Sequence, residues 1–199
     1  MARLSAEEEK ARLLAMSKYE KELWSSGIDY IAGLDEAGRG PLAGPVTAAA
    51  VILPKGCLIP GLNDSKKLSE KKRLTLEKEI KAQAIAWSCA SVNHRIIDNI
   101  NILEASRLAM TRAIAKLSIL PQHLLIDAVK LDIDIPQTSI IHGDALSISI
   151  AAASIIAKNT RDRLMVLMDA KWPQYGFAAH KQALREYGYC PIHRRSFKY

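Results

Sequence analysis

Residues 31–46 read IAGLDEAGRGPLAGPV, and this stretch guides the interpretation of the rest of the chain. The apolar run from Ile28 to Leu34 predicts a β-strand, and two adjacent acids, Asp35 and Glu36, stand at its end. A buried core has no use for charge at this point. The glycines that follow allow another group to approach the main chain closely. The stretch therefore predicts a functional site at the end of a strand, with a solvated hairpin turn as the alternative.

The adjacent acids place a condition on that site. Successive side chains of a strand point to opposite faces of the sheet. Asp35 and Glu36 can serve one site only if the strand twists or bulges there, or if the main chain of Glu36 supplies a ligand instead.

Apolar patterns on either side of this stretch predict an α/β fold. Further strands are expected at 46–53, 84–92, 124–126 and 139–141, and helices at 5–25, 69–81, 101–117, 147–170 and 181–187. Strands come first in adjacent pairs and later alternate with helices, which predicts a mixed sheet flanked by helices and a more helical C-terminal part. Residues 1–27 are expected to form a helical extension, for which packing on the main domain, 28–199, is favoured over docking of a partner.

Two further acids follow apolar segments. Asp127 ends the run 124–126, and Asp144 precedes the long predicted helix. Each has a structural alternative, as a turn residue or, for Asp144, as a helix N-cap. Ligands bind at this edge of open α/β sheets, and oxygen ligands without a Cys/His cluster select magnesium or manganese. A divalent cation would also offset the repulsion among the carboxylates.

Composition narrows the class of protein. The chain has 199 residues, 49% of them hydrophobic, which fits one folded domain and excludes disorder and disulfide mini-proteins. Its net charge of +7 makes nucleic acid the first partner to test. Three cysteines without CxxC spacing favour a reducing compartment and disfavour a zinc site. No segment has the pattern of a signal peptide or a membrane span, so a cytoplasmic protein without a membrane partner is expected. A basic surface with an acidic metal pocket is typical of a nuclease.

Ordered sequence blocks extend over most of the chain and resemble those of bacterial ribonuclease HII, the type 2 ribonuclease H family. The blocks are IAGLDEAGRGPLAGPV at 31–46, DSKKLS at 64–69, INILEAS at 100–106, LLIDAV at 124–129, GD at 143–144, AAASIIAK at 151–158 and PIHRRSF at 191–197. The resemblance implies a ribonuclease H-like fold and a metal-dependent endonuclease. Such an enzyme hydrolyses the RNA strand of RNA–DNA hybrids and cuts 5′ to single ribonucleotides in duplex DNA, leaving 5′-phosphate and 3′-hydroxyl ends. A monomer is expected.

The resemblance also assigns roles to residues. The acids implied in catalysis and in binding two Mn²⁺ or Mg²⁺ ions are Asp35, Glu36, Asp127 and Asp144. The residues implied in reading the ribose are Gly38, Arg39 and Gly40, and those implied in contacting phosphate are Ser65, Lys66 and Lys67. A solvated helix face is the alternative for any one lysine. We further predict that the basic clusters 66–67, 71–73 and 194–195 face phosphates.

One segment departs from the family. The family follows its His-Lys pair with Gly-Tyr-Gly-Thr, whose tyrosine packs on the ribose, whereas His180-Lys181 here continues directly into Gln182. Either the chain is naturally short there or a flexible loop has been omitted from the sequence, and omission is favoured because the flanking residues match. A genuine loss would weaken recognition of the ribonucleotide and leave metal binding intact. For His180 and His193, packing or phosphate contact is favoured over a role as catalytic base.

Two other functions remain open at this point. One is a related enzyme of the same fold that cuts only longer RNA–DNA hybrids. The other is a non-catalytic nucleic-acid-binding module whose acids merely cap turns, and the presence of all four acids weighs against it.

Overall fold

A computed structural model of the chain describes residues 5–173 and 180–198. Within these residues a five-stranded sheet has the order β3-β2-β1-β4-β5. Its strands are β1 (Ile31–Ala37), β2 (Val46–Ile52), β3 (Ala86–Val92), β4 (His123–Asp127) and β5 (Gln137–Ile140). The pairs β1–β2 and β2–β3 are antiparallel, and the pairs β1–β4 and β4–β5 are parallel. The mixed sheet predicted from the sequence is thus confirmed.

Helices cover the sheet and continue into the C-terminal part. They are α1 (Ala6–Met16), α2 (Lys18–Ser25), α3 (Glu70–Gln83), α4 (His94–Ile114), α5 (Gly143–Leu146), α6 (Ile148–Asp169) and α7 (His180–Tyr187). The single helix predicted at 5–25 is wrong, because the chain breaks at Ser17, whose hydroxyl donates back to the Leu13 carbonyl. α7 runs through Lys181 and Gln182 without a break.

α4 begins seven residues before the predicted start at Asn101. Asn101 itself has a non-helical, positive φ of 66° and marks a kink between two merged helical segments. Its side-chain oxygen accepts from the amides of Leu103 and Glu104, so it caps the second segment. The sequence pattern identified this second segment and missed the turn before it.

The long helix α6 packs closely against β1, because Gly33 has no side chain. A Cβ at Gly33 would lie 2.1 Å from the carbonyl carbon of Ser149. The two backbones are therefore nearly in contact at the centre of the sheet. One apolar core lies on this side of the sheet, and a second lies on the side covered by α4.

The N-terminal helices are packed onto the main domain through polar as well as apolar contacts. The buried Glu20 carboxylate accepts from the Ser147 hydroxyl and from the Ser149 amide, at the start of α6. Glu9 accepts from the Gly61 amide at 2.6 Å. Residues of α1 and α2 thus contact the loop before residue 65 and the segment that follows Asp144.

None of the helices in the described part of the chain is long and apolar enough to cross a membrane.

Candidate active site

The predicted acids Asp35 and Asp127 lie at one edge of the sheet. β1 and β4 are parallel neighbours, and their register pairs Leu34 with Ile126, immediately before the two acids. Asp35 is 5% exposed. The Asp127 carboxylate also accepts from the Gly143 amide at 2.8 Å, which joins the end of β4 to α5. Parallel pairing thus brings together two acids that are far apart in the sequence.

Glu36 shares a cavity with both of these acids, although β1 has no bulge. Its register against β2 continues regularly through Asp35, Glu36 and Ala37. The cavity lies at the end of the strand and has a volume of about 450 Å³, lined by Asp35, Glu36, Ala37, Gly38, Arg39, Gly40, Pro41, Ser65, Lys66, Asp127, Lys158 and Arg161. A strand that ends at a cavity can present both of its faces to it, so the expected twist or bulge is not needed.

Asp144 lies beside this cavity, in the short helix α5. Its carboxylate is 3.7 Å from the Lys66 ammonium. The proposed alternative, that Asp144 caps the long helix, is wrong. Ser147 is the N-cap of α6, and its side chain accepts from the Ile150 amide. Asp144 is buried without serving as that cap.

Burial and the charges of neighbouring acids raise the pKa values of Asp35, Glu36 and Asp144. Burial, followed by the charges of Glu36 and Asp127, raises the pKa of Asp35 well above its ordinary value. Burial also raises the pKa of Glu36, with Arg39 opposing the shift and Asp127 adding to it. For Asp144, burial and then the charges of Asp64 and Asp127 raise the pKa. Such mutual repulsion is relieved when a cation enters.

A lysine already supplies positive charge at this place. Partial burial disfavours the ammonium of Lys66, but the charges of Asp144 and Asp35 outweigh it, and the pKa of Lys66 is raised. Lys66 therefore pairs with Asp144 and also lines the cavity. The other two residues predicted to contact phosphate differ in position. Ser65 is buried and lines the cavity, whereas Lys67 is exposed and is not among the lining residues.

The donor set fits a hard divalent cation. The buried Oε2 atom of Glu36 has no hydrogen-bond partner among the described residues, so an oxygen ligand is available beside Asp35 and Asp127. Carboxylate oxygens are the ligands that magnesium and manganese prefer. Over residues 5–173 and 180–198, no three Asp, Glu, His or Cys side chains are close enough to hold an ion as they stand. Magnesium is usually held by one or two carboxylates together with waters and substrate phosphate oxygens, so the remaining ligands would come from outside the chain.

The segment Gly38-Arg39-Gly40 forms one wall of the cavity. Gly38 has a φ of 100°, and a Cβ there would lie 2.0 Å from Nε of Arg161. Only glycine combines this backbone conformation with the close packing of the arginine. The Arg39 guanidinium is 3.7 Å from the Glu36 carboxylate.

Arg194 does not contact phosphate, contrary to our prediction for the cluster 194–195. Its side chain is fully buried and bonds to main-chain carbonyls. Arg195 is exposed, so the prediction stays open for that residue. Sequence reasoning also missed Arg161, a buried residue of α6 that lines the cavity.

The two histidines lie together outside the cavity wall. The Nε2 atoms of His180 and His193 are 3.0 Å apart, and His193 is buried. Neither residue is among those that line the cavity. The position agrees with packing rather than with a role as catalytic base.

Comparisons with known proteins identify close relatives. The family model for ribonuclease HII matches residues 32–199. Ribonuclease HII of Bacillus cereus (strain Q1) is 56% identical over 200 residues, which cover 96% of this chain and 78% of the relative. The ribonuclease HII of Bacillus thuringiensis (strain Al Hakam) has the same identity and coverage. The crystal structure of ribonuclease H2 from Pyrococcus horikoshii OT3 superposes with a TM-score of 0.71 at 27% identity, covering 84% of this chain and 93% of that one.

Proposed function

Because this chain belongs to the ribonuclease HII family, and is thus a metal-dependent endonuclease that acts on the RNA strand of RNA–DNA hybrids, we propose a finer activity for it. The enzyme cuts duplex DNA on the 5′ side of a single embedded ribonucleotide and leaves 5′-phosphate and 3′-hydroxyl ends. It acts as a monomer in the cytoplasm.

The observation that carries this proposal is that the acidic residues and the glycine-rich segment line one and the same cavity. The glycine-rich segment 38–40 and the acids Asp35, Glu36 and Asp127 line the same space. The 2′-hydroxyl is the group that distinguishes RNA from DNA, and glycines let main-chain amides reach it. Recognition of the 2′-hydroxyl directly beside the acids favours cleavage next to a single ribonucleotide.

Asp35, Glu36, Asp127 and Asp144 would hold two Mn²⁺ or Mg²⁺ ions. When bound, such ions supply Lewis acidity for an in-line displacement of the 3′-oxygen from phosphorus. The chain's own residues place the substrate. Main-chain groups of residues 38–40 contact the ribose, while Ser65 and Lys66, which line the same cavity, bind the neighbouring phosphate. The ribose contact proposed here rests on segment 38–40 alone, since His180-Lys181 continues directly into Gln182 in this sequence.

A labelled DNA duplex with one ribonucleotide tests the proposal directly. In magnesium or manganese we expect a single cut 5′ to the ribonucleotide, read on a sequencing gel, because the 2′-hydroxyl is recognised beside the acids. The same duplex made only of DNA should remain intact.

Three controls separate the alternatives. Equal cutting of both duplexes would show that the sugar is not recognised. An enzyme restricted to longer stretches of RNA would cut an RNA–DNA hybrid and leave the single ribonucleotide. A binding module would retain the duplex in EDTA and cut nothing in manganese.

Binding of duplex should weaken steeply with salt, because cationic side chains displace counterions from the phosphates. Each neutralised phosphate contributes about −0.9 to the slope of log K against log salt, so about four contacts give a slope near −4. Changing both Lys66 and Lys67 to alanine should flatten the slope by up to ~2 units and weaken plain and ribonucleotide-containing duplexes alike. Titrations in calcium at several salt concentrations measure this slope.

The control for this double variant is Lys55→Ala with Lys116→Ala. Both lysines are exposed and lie outside the cavity lining. Lys55 follows β2, which runs antiparallel to β1 and so ends away from the cavity, and Lys116 contacts the Cys89 carbonyl on the outer strand β3. The slope should change little in this control. A loss of ribonucleotide preference at unchanged slope in the Lys66/Lys67 variant would instead assign those lysines to the sugar-reading site.

A further inference from the structure

The loop between β1 and β2 is held by a buried arginine of the C-terminal tail. Arg194 donates to the carbonyls of Gly38 at 2.6 Å, Arg39 at 2.9 Å and Gly44 at 3.0 Å. The tail also pairs with the loop through its backbone, since the Arg194 amide donates to the Leu42 carbonyl at 2.9 Å. A segment 150 positions away in the chain thus binds the loop that carries the ribose reader.

A second buried arginine holds the far end of the same loop. Arg161, from α6, donates to the carbonyls of Ala43 at 3.2 Å and Pro45 at 3.0 Å. Both arginines thus donate to carbonyls of segment 43–45, next to β2. Among the described residues, Arg194 alone donates to the carbonyls of Gly38 and Arg39, next to the acids, while Arg161 packs against Gly38 without bonding to its carbonyl.

Peptide dipoles, rather than a carboxylate, accommodate the charge of Arg194. In the part of the chain that the structure describes, Arg194 makes no ion pair with an acidic side chain. Burial, with the charge of Arg161, lowers the pKa of Arg194 to about 10, so its guanidinium stays protonated at neutral pH. A buried cation of this kind destabilises the protein unless its donors are satisfied. Each of the three guanidinium nitrogens donates to one of the three carbonyls, which offsets part of this cost.

The geometry of the two peptides fixes where their amides point. No peptide bond in the described chain is cis, so each N–H points away from the carbonyl of its own peptide. The Gly38 carbonyl shares a peptide with the Arg39 amide, and the Arg39 carbonyl shares one with the Gly40 amide. Both carbonyls point at Arg194, and both amides therefore point away from it. Neither amide donates to any other described residue, and Arg39 and Gly40 line the cavity.

We infer that Arg194 is a positioning residue for sugar recognition, orienting the Arg39 and Gly40 amides as donors to the ribose 2′-hydroxyl. The inference rests on the proposed function. It adds that Arg194 makes segment 38–40 selective for the ribose. In a low-dielectric interior, a hydrogen bond to a carbonyl also polarises the amide of the same peptide and strengthens it as a donor. Arg194 itself is buried and does not touch the substrate.

Arg194→Lys tests the inference, with Arg161→Lys as its matched control. Each variant retains a positive charge and loses the planar fork that bridges several carbonyls. We expect Arg194→Lys to reduce at least tenfold the ratio of affinities, measured in calcium, for a duplex with one ribonucleotide over the same duplex made of DNA. Affinity for the DNA duplex should stay within about threefold of wild type. Arg161→Lys should lower the thermal midpoint comparably and retain most of the ratio.

The possible outcomes distinguish failure of the role inferred for Arg194 from failure of the proposed function. A wild-type enzyme without preference for the ribonucleotide would refute the proposed function. A folded Arg194→Lys protein with the full preference, or equal losses in both variants, would refute only the role of Arg194. If Arg194→Lys does not fold, hydrogen exchange in the wild-type protein decides. The Arg39 and Gly40 amides should be protected more by the ribonucleotide duplex than by DNA, and equal protection would overturn the inference.

Discussion

Replacing Asp127 by asparagine should lower kcat by more than about a hundredfold and leave the affinity for duplex equal or slightly higher. The substitution removes a ligand oxygen and a charge that repels phosphate. Even outer partners of metal ligands cost ~10–100-fold when mutated, so a ligand itself should cost at least as much. The amide oxygen that replaces the carboxylate can still accept from the Gly143 amide, which preserves the local fold. The measurements are single-turnover and steady-state rates in manganese, beside a binding curve in calcium.

Asp132→Asn provides the control, since Asp132 is exposed on the loop after β4 and lies outside the cavity wall. Its kcat should stay near that of the wild-type enzyme. A nearly normal kcat in Asp127→Asn would remove Asp127 from the site. A parallel loss of duplex affinity would show that it acts by binding rather than by catalysis.

Replacing Gly33 by alanine should lower the free energy of unfolding by more than ~3 kcal/mol, or prevent folding. The new Cβ would lie 2.1 Å from the Ser149 carbonyl carbon. The position of a Cβ is fixed by its own main chain and the atom that it meets belongs to the backbone of α6, so neither can rotate away. Insertion of a methylene into a packed core costs ~1–3 kcal/mol when side chains can shift, and a backbone clash should exceed that. Urea unfolding followed by circular dichroism measures the change.

Gly40→Ala is the matched glycine control for stability. A Cβ at Gly40 meets no atom within 4 Å, and its φ is not positive. Its free energy of unfolding should stay within about 0.5 kcal/mol of wild type, the usual range for surface substitutions. A Gly33→Ala protein as stable as Gly40→Ala would show that α6 can move away from β1 at little cost.

The sheet and the acids at its edge could be predicted from the sequence, because both depend on local signals. Apolar runs marked the strands, and acids at their ends marked the edge where ligands bind. The position of Asp35 beside Asp127 followed from parallel pairing, which α/β patterns imply. Asp144 was harder to interpret, because an acid before a helix resembles a cap, and only the structure shows Ser147 in that position.

The buried arginines could not be predicted, because their partners are main-chain carbonyls. Arg194 stands next to Arg195 in a basic tail, and a pair of arginines there is typical of a phosphate-binding surface. Burial of one and exposure of the other depends on the tail returning to the loop at 38–45. The helix break at Ser17 could not be predicted from the sequence either, because the apolar pattern continues across it.

The pairing of the tail with the loop has a consequence for the order in which the enzyme is completed. During synthesis, the acids of β1 leave the ribosome long before residues 192–194, which bind the loop beside them. The last strand of the sheet and Asp144 both precede by about fifty residues the arginine that bonds to the Gly38 and Arg39 carbonyls. Closing a loop of this length costs only slightly more entropy than closing a short one, so the delay reflects translation time rather than an energetic barrier. Under the role proposed for Arg194, the orientation of segment 38–40 is therefore completed only after residue 194 has left the ribosome.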